Sequence, residues 1–163
     1  MKVIIYVAAL LFSSLAFGNE AVVEKVTGSV TATSQGSSPM AVAVGQKLKT
    51  GTTVTTGEGA QLILRFTDGQ VASLHGNTQL KIASYNFEAA SPAKGNSVLE
   101  LVKGAARFVS GLLAKSNPGA FKLSTPTATI GIRGTDFMAS YHNPTFISVL
   151  QGNVMLGNSA GTL

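Results

Sequence analysis

A chain of 163 residues with a formal net charge of +5, only 12% charged residues and no cysteine has the length for one domain around a single core. The missing thiols exclude disulfides, thiolate metal sites, redox motifs and an acylated lipoprotein cysteine. The basic residues stand singly instead of clustering with aromatics on one element, which argues against nucleic-acid binding and leaves at most a weak attraction to anionic lipid or envelope polymer.

The first element is a targeting segment. Lys2 precedes an apolar run from Val3 to Leu11, and small residues Ala16 and Gly18 flank Phe17, the pattern of a secretory signal cleaved before Asn19. Ser13 and Ser14 interrupt the apolar run after about a dozen residues, well short of the roughly 20 that a membrane span needs. Residues 1–18 are therefore expected to be a signal peptide and not an uncleaved anchor. The mature chain, 19–163, is expected to be periplasmic or secreted, with no membrane span after processing.

Short apolar runs separated by Gly then predict strands at Ala21–Val26, Val30–Thr33, Thr52–Thr55, Gln61–Phe66, Val71–Leu74 and Gln79–Ile82. The second half continues with Val98–Val102, Phe121–Leu123, Thr127–Ile130, Phe137–Tyr141, Phe146–Leu150 and Val154–Leu156. Within Gln61–Phe66 the two-residue alternation turns Leu62, Leu64 and Phe66 inward and leaves Gln61 and Arg65 to solvent. Ser/Gly/Pro-rich stretches at Thr33–Pro39, Ala89–Asn96 and Ser116–Gly119 read as loops. Ala105–Lys115 is either one short amphipathic helix or a strand and turn, Gly111 disfavouring the helix. An apolar strand, a polar residue, a Gly and a second strand recur around Gly28, Gly104 and Gly152. The fold class is thus all-β: Gly-punctuated short strands forming a coiled sheet, either β-solenoid-like or a sandwich.

Asp68-Gly69 between two alternating strands marks a hairpin turn, which gives both residues an architectural role. Thr125-Pro126 sets an extended backbone ahead of the next strand, and Gly131 through Gly134 to Thr135 is expected to turn the chain sharply. Pro126, Gly131 and Gly134 are accordingly structural. Arg133 offers five donors on a rigid fork; it either pins that turn through Asp136 or backbone carbonyls, or recognises an acidic group on a partner. Arg133, Thr135 and Asp136 are the candidate binding residues. His75 and His142 are read as packing or surface positions, the acids show no metal spacing, and no Gly-x-Ser-x-Gly elbow is present. No catalytic residue, metal or cofactor is assigned.

Taken in order, Gly28 with Val30, Gly45-Gln46-Lys47-Leu48 to Thr56-Gly57, Leu64 to Gly69, Leu101-Val102-Lys103-Gly104 and Thr125-Pro126 through Gly131 to Phe137 resemble the FecR domain. That resemblance implies an all-β domain in the periplasm of Gram-negative bacteria. In signalling members it receives a contact from an outer-membrane TonB-dependent receptor and relays it to a cytoplasmic sigma factor. Such members carry an anti-sigma region and a membrane span ahead of the domain, whereas here a signal peptide precedes it. The expectation is a non-catalytic exported FecR-like domain over 19–163, shortened at its C-terminal end. It would bind an envelope protein, a TonB-dependent receptor or another periplasmic protein, in cell-surface or iron-related signalling. The alternative is a module for peptidoglycan or another envelope polysaccharide.

Overall fold

The computed structural model describes residues 19–158 and 161–162, so the expected signal peptide lies outside the described residues. Strands β1 (Glu20–Thr27), β2 (Val30–Thr33), β3 (Met40–Ala41), β4 (Lys47–Lys49), β5 (Thr53–Thr56), β6 (Gln61–Phe66), β7 (Val71–Leu74) and β8 (Gln79–Asn86) make the first half. The second half holds β9 (Asn96–Val109), helix α1 (Leu112–Ser116), β10 (Phe121–Ser124), β11 (Thr129–Tyr141), β12 (Thr145–Asn158) and β13 (Gly161–Thr162). The strands β1 to β13 belong to one 13-stranded sheet, curled into a half-barrel; its pairings are antiparallel except that of β9 with β10. The coiled-sheet reading therefore holds, with one continuous sheet in place of two stacked ones.

The alternation read in β6 is the alternation observed: Leu62, Leu64 and Phe66 are buried while Gln61 and Arg65 are exposed. They share one core cluster with Leu80, Leu99, Leu101, Leu123 and Ile130, all fully buried. Phe137 stacks on Phe108 at 5.4 Å between centroids and takes the edge of Phe121 at 6.4 Å, so the aromatic end of the core lies beneath β9, β10 and β11.

Strand β9 organises the curl. Its first half lies between β8 and β10, and its second half, from Gly104 on, lies between β7 and β11. Gly104 sits at this change of neighbours with φ +88, and a Cβ there would lie 2.7 Å from the Asn77 carbonyl oxygen and collide with Thr78. Only glycine fits both demands. Gly28 and Gly152, the other members of the recurring pattern, also have positive φ.

Several boundaries differ from expectation. Thr129 and Ile130 of the run Thr127–Ile130 and all of Phe137–Tyr141 are parts of β11, Thr127 and Ala128 lying in the loop before it, and Phe146–Leu150 and Val154–Leu156 are parts of β12, because a bulge lets each strand continue past its glycine. Ala105–Lys115 divides into the end of β9 and the five-residue α1. Strands β3, β4 and β13, of two or three residues, were not anticipated.

Candidate functional site

Phe121 to Phe137, which include Thr125-Pro126 and the three candidate binding residues, form β10, the loop after it and most of β11 near one end of the sheet. The chain reverses at Thr125–Ala128, where the Thr125 amide donates to the Ala128 carbonyl at 2.8 Å and the Ala128 amide to Thr125 Oγ1 at 3.0 Å. Pro126 lies inside this loop. Thr145 Oγ1 bonds to Thr125 Oγ1 at 2.8 Å and to Thr127 Oγ1 at 2.7 Å, tying the loop to the start of β12.

The sharp turn expected at Gly131–Gly134 is absent, because the reversal has already been made at Thr125–Ala128. Gly131 is a mid-strand residue, paired with Lys122 on one side and Met155 on the other. Gly134, with φ +62, belongs to a bulge between Arg133 and Asp136, after which the ladder resumes at Asp136 opposite Gln151. A bulge uses the same positive φ as a turn but preserves the strand direction.

The three candidate binding residues are separated by this bulge. Thr135 is buried: its amide donates to Ser110 Oγ at 2.8 Å and its hydroxyl to the Asn153 carbonyl at 2.6 Å, which closes it to a ligand. Asp136 accepts from Arg107 Nε at 2.9 Å and Nη2 at 2.6 Å, so its partner is Arg107 and not Arg133. That bidentate hydrogen bond, aided by the charge of Arg107 and opposed by slight desolvation, lowers the carboxyl from its ordinary value. Arg133 is exposed, and its guanidinium has no partner among the described residues. Asp68 and Gly69 form the β6–β7 hairpin loop, with Gly69 at φ +85 and Asp68 buried among its hydrogen-bond partners.

Around Arg133 the outer face of the sheet carries a groove of about 550 Å³. Strand register sets Lys122, Gly131 and Met155 abreast on this face, with Arg133 and Asn153 abreast in the next row of β11 and β12. Pro118, Phe121 and Ile132 add apolar wall, while Lys122 and Arg133 bring the cations.

Beside the groove runs β12, the second notable surface. Its 14 residues include no charged side chain, and among the described residues β13 pairs with Gly157 and Asn158 alone. On its inner face Ile147, Val154 and Leu156 are half-buried against the core and Val149 remains 45% exposed. On its outer face Phe146, Leu150 and Met155 are exposed. Long uncharged edges are unusual, since exposed edges are normally blocked by charge, proline or brevity.

Among the described residues no group of three or more His, Cys, Asp or Glu could hold a metal ion, and no helix is long and apolar enough to cross a membrane. His75 and His142 lie in separate connections, after β7 and after β11. The lack of charge across β12 was visible in the sequence; the edge left unpaired among the described residues and the row Lys122–Gly131–Met155 were not, because both depend on register.

No curated protein matches the chain. Two crystal structures, at 1.65 and 2.50 Å, of a protein provisionally described as an anti-sigma factor from Parabacteroides distasonis ATCC 8503 share the fold. Each has a TM-score of 0.54 and 20% identity and covers 68% of this chain. The chain spans about half, 49%, of that protein's length. The FecR protein family matches residues 52–155, which include β5 through most of β12 together with the groove and its two cations. The chain belongs to the FecR family.

Proposed function

We propose that this chain is a non-catalytic domain of the bacterial envelope that works by binding another protein. FecR membership supports a signalling-related regulatory role. The observation that carries the binding reading is β12: a long uncharged strand whose hydrogen-bonding edge is open from Thr145 to Leu156 among the described residues, with an inner apolar row that they cover only in part. Such an edge can accept a partner's extended segment, whose main chain would complete the ladder while its side chains cover Val149 and its neighbours. The family resemblance suggests an outer-membrane TonB-dependent receptor or another periplasmic protein as the partner, with iron-related signalling as the setting.

The binding reading is tested by capturing proteins from envelope extract with wild-type and Val149→Lys chains, alongside sedimentation with peptidoglycan. Protein capture that is lost in Val149→Lys supports it, since an inward-pointing charge on an edge blocks strand addition. Peptidoglycan sedimentation unaffected by the substitution, with no protein captured, supports the polysaccharide alternative and overturns it. Export is part of the same proposal: mass spectrometry of the envelope-fraction protein should find Asn19 at its amino terminus, and an intact Met1 would refute this.

A further inference from the structure

We propose that the groove over Gly131 recognises an acidic, extended peptide segment of a protein partner, one apolar side chain entering above Gly131 while neighbouring carboxylates meet Lys122 and Arg133. This rests on the protein-binding reading and gives the partner a chemistry.

Gly131 is the first observation. It has no positive φ, and a Cβ placed on it would meet only Met155 Cβ, at 3.9 Å, an ordinary contact. Neither the backbone nor the packing calls for glycine here, although glycine in a strand interior sacrifices stability. Its lack of a side chain leaves open the space between Lys122 and Met155. Below the opening, Phe121 and Ile132 are buried in the sheet, so an occupant lies across the strands and does not thread into the core. Thr129 and Asn153 also line the groove.

Charge decides the rest. From β9 onward the described acids are Glu100 and Asp136, bonded to Lys81 and Arg107 respectively. Lys122 and Arg133 have no ion pair among the described residues, and neither do Lys103 and Lys115. The groove is therefore an apolar slot beside two unneutralised cations, complementary to an apolar residue flanked by carboxylates.

The probe is a fluorescent Ser/Thr-rich peptide of about ten residues with a central Asp-Leu-Asp, compared with Lys-Leu-Lys and Asp-Ser-Asp versions and with phosphatidylglycerol vesicles. Wild-type chain should prefer Asp-Leu-Asp. Gly131→Val should weaken that binding by about tenfold or more without lowering the melting temperature, since it fills the slot but has room in the fold. Lys122→Glu combined with Arg133→Glu should reverse the preference toward Lys-Leu-Lys. Equal binding by wild type and Gly131→Val overturns the proposal, as does Gly131-dependent vesicle binding without peptide binding. If the proposal falls while capture still depends on Val149, the protein-binding function survives; if peptide binding holds but no protein is captured through β12, the general reading fails and the groove assignment stands.

Discussion

Asp68→Asn is a one-atom change that should destabilise the domain, and the structure gives the reason atom by atom. Asp68 is 2% exposed. Its Oδ1 accepts from the Tyr85 hydroxyl and from the Gln70 amide, both at 3.1 Å, and its Oδ2 accepts from the Leu113 amide at 3.3 Å. The Tyr85 hydroxyl in turn accepts from the Asp68 amide at 2.9 Å. One side chain thus joins the β6–β7 hairpin, β8 and the first turn of α1. An asparagine has one acceptor oxygen: it can serve Tyr85 and Gln70, but its amino group then faces the Leu113 N–H, donor against donor. Flipping the amide strands the other two. At least one buried N–H is left unpaired, a cost of about 1–3 kcal/mol. Asp68→Ala leaves all three donors without this acceptor and should cost more, roughly 3–5 kcal/mol after allowing for water entering the gap. The chain has no Trp, so urea unfolding is followed by far-UV circular dichroism at several protein concentrations. Equal midpoints and slopes for wild type and Asp68→Asn would refute the reasoning.

Three further outcomes follow from other parts of the sheet. Gly104→Ala should lose about 2–4 kcal/mol by combining left-handed backbone strain with a collision at Thr78; an unchanged urea midpoint would mean β9 does not bend there as described. Desolvation, then the nearby charge of Asp68, raises the Tyr85 phenol above its ordinary value of about 10, so its stabilising neutral form is fully present below that pH and is lost as pH rises through the higher folded value. Ultraviolet titration should find a late-ionising step that coincides with alkaline unfolding and disappears in Tyr85→Phe. Asp136 is shifted the other way by Arg107, so its contribution is present above the ordinary aspartate value of about 3.9 and is lost as pH falls through the folded value. Wild type should melt above Asp136→Asn at pH 6 and converge with it as the pH falls through the lowered folded value; a constant difference would count against the pair.

How legible the fold was depended on whether a signal is local. β6 and β7 were read with their observed bounds because alternation fixed their faces and Asp68-Gly69 fixed the turn between them. The segment at Gly131–Gly134 was misread as a turn because a positive-φ glycine serves bulges and turns alike, and the sequence does not say which partner strands flank it. Arg107 and Asp136 lie 29 residues apart, and only the β9–β11 pairing brings them together. Without that pairing Arg133 looks like the natural partner of Asp136. The candidate site was similarly half visible: Arg133 was singled out, but Lys122 and Met155 join it through register alone.

The two ends of the main path through the sheet contrast in a way that bears on function. β4 closes one end with three residues, buried Leu48 between exposed Lys47 and Lys49, and Glu20 beside both lysines. Brevity and lysine are the ordinary protections of an edge. Toward the other end β12 has neither, with 14 uncharged residues and a pairing to β13 that covers two of them. Solvent exposure alone would favour the β4 solution at both ends, since an unprotected edge invites association; β12, whose edge is open from Thr145 to Leu156 among the described residues, is where the proposed partner binding rests. A chain held without that partner should associate with itself weakly as concentration rises, by pairing β12 edges. Val149→Lys should suppress this association at a stability cost of about 1 kcal/mol, because Val149 is 45% exposed and so has only part of its apolar surface to lose. Sedimentation velocity across a concentration series reads the first effect and thermal melting the second. Association that persists unchanged in a folded Val149→Lys protein would show that β12 is not the adhesive edge.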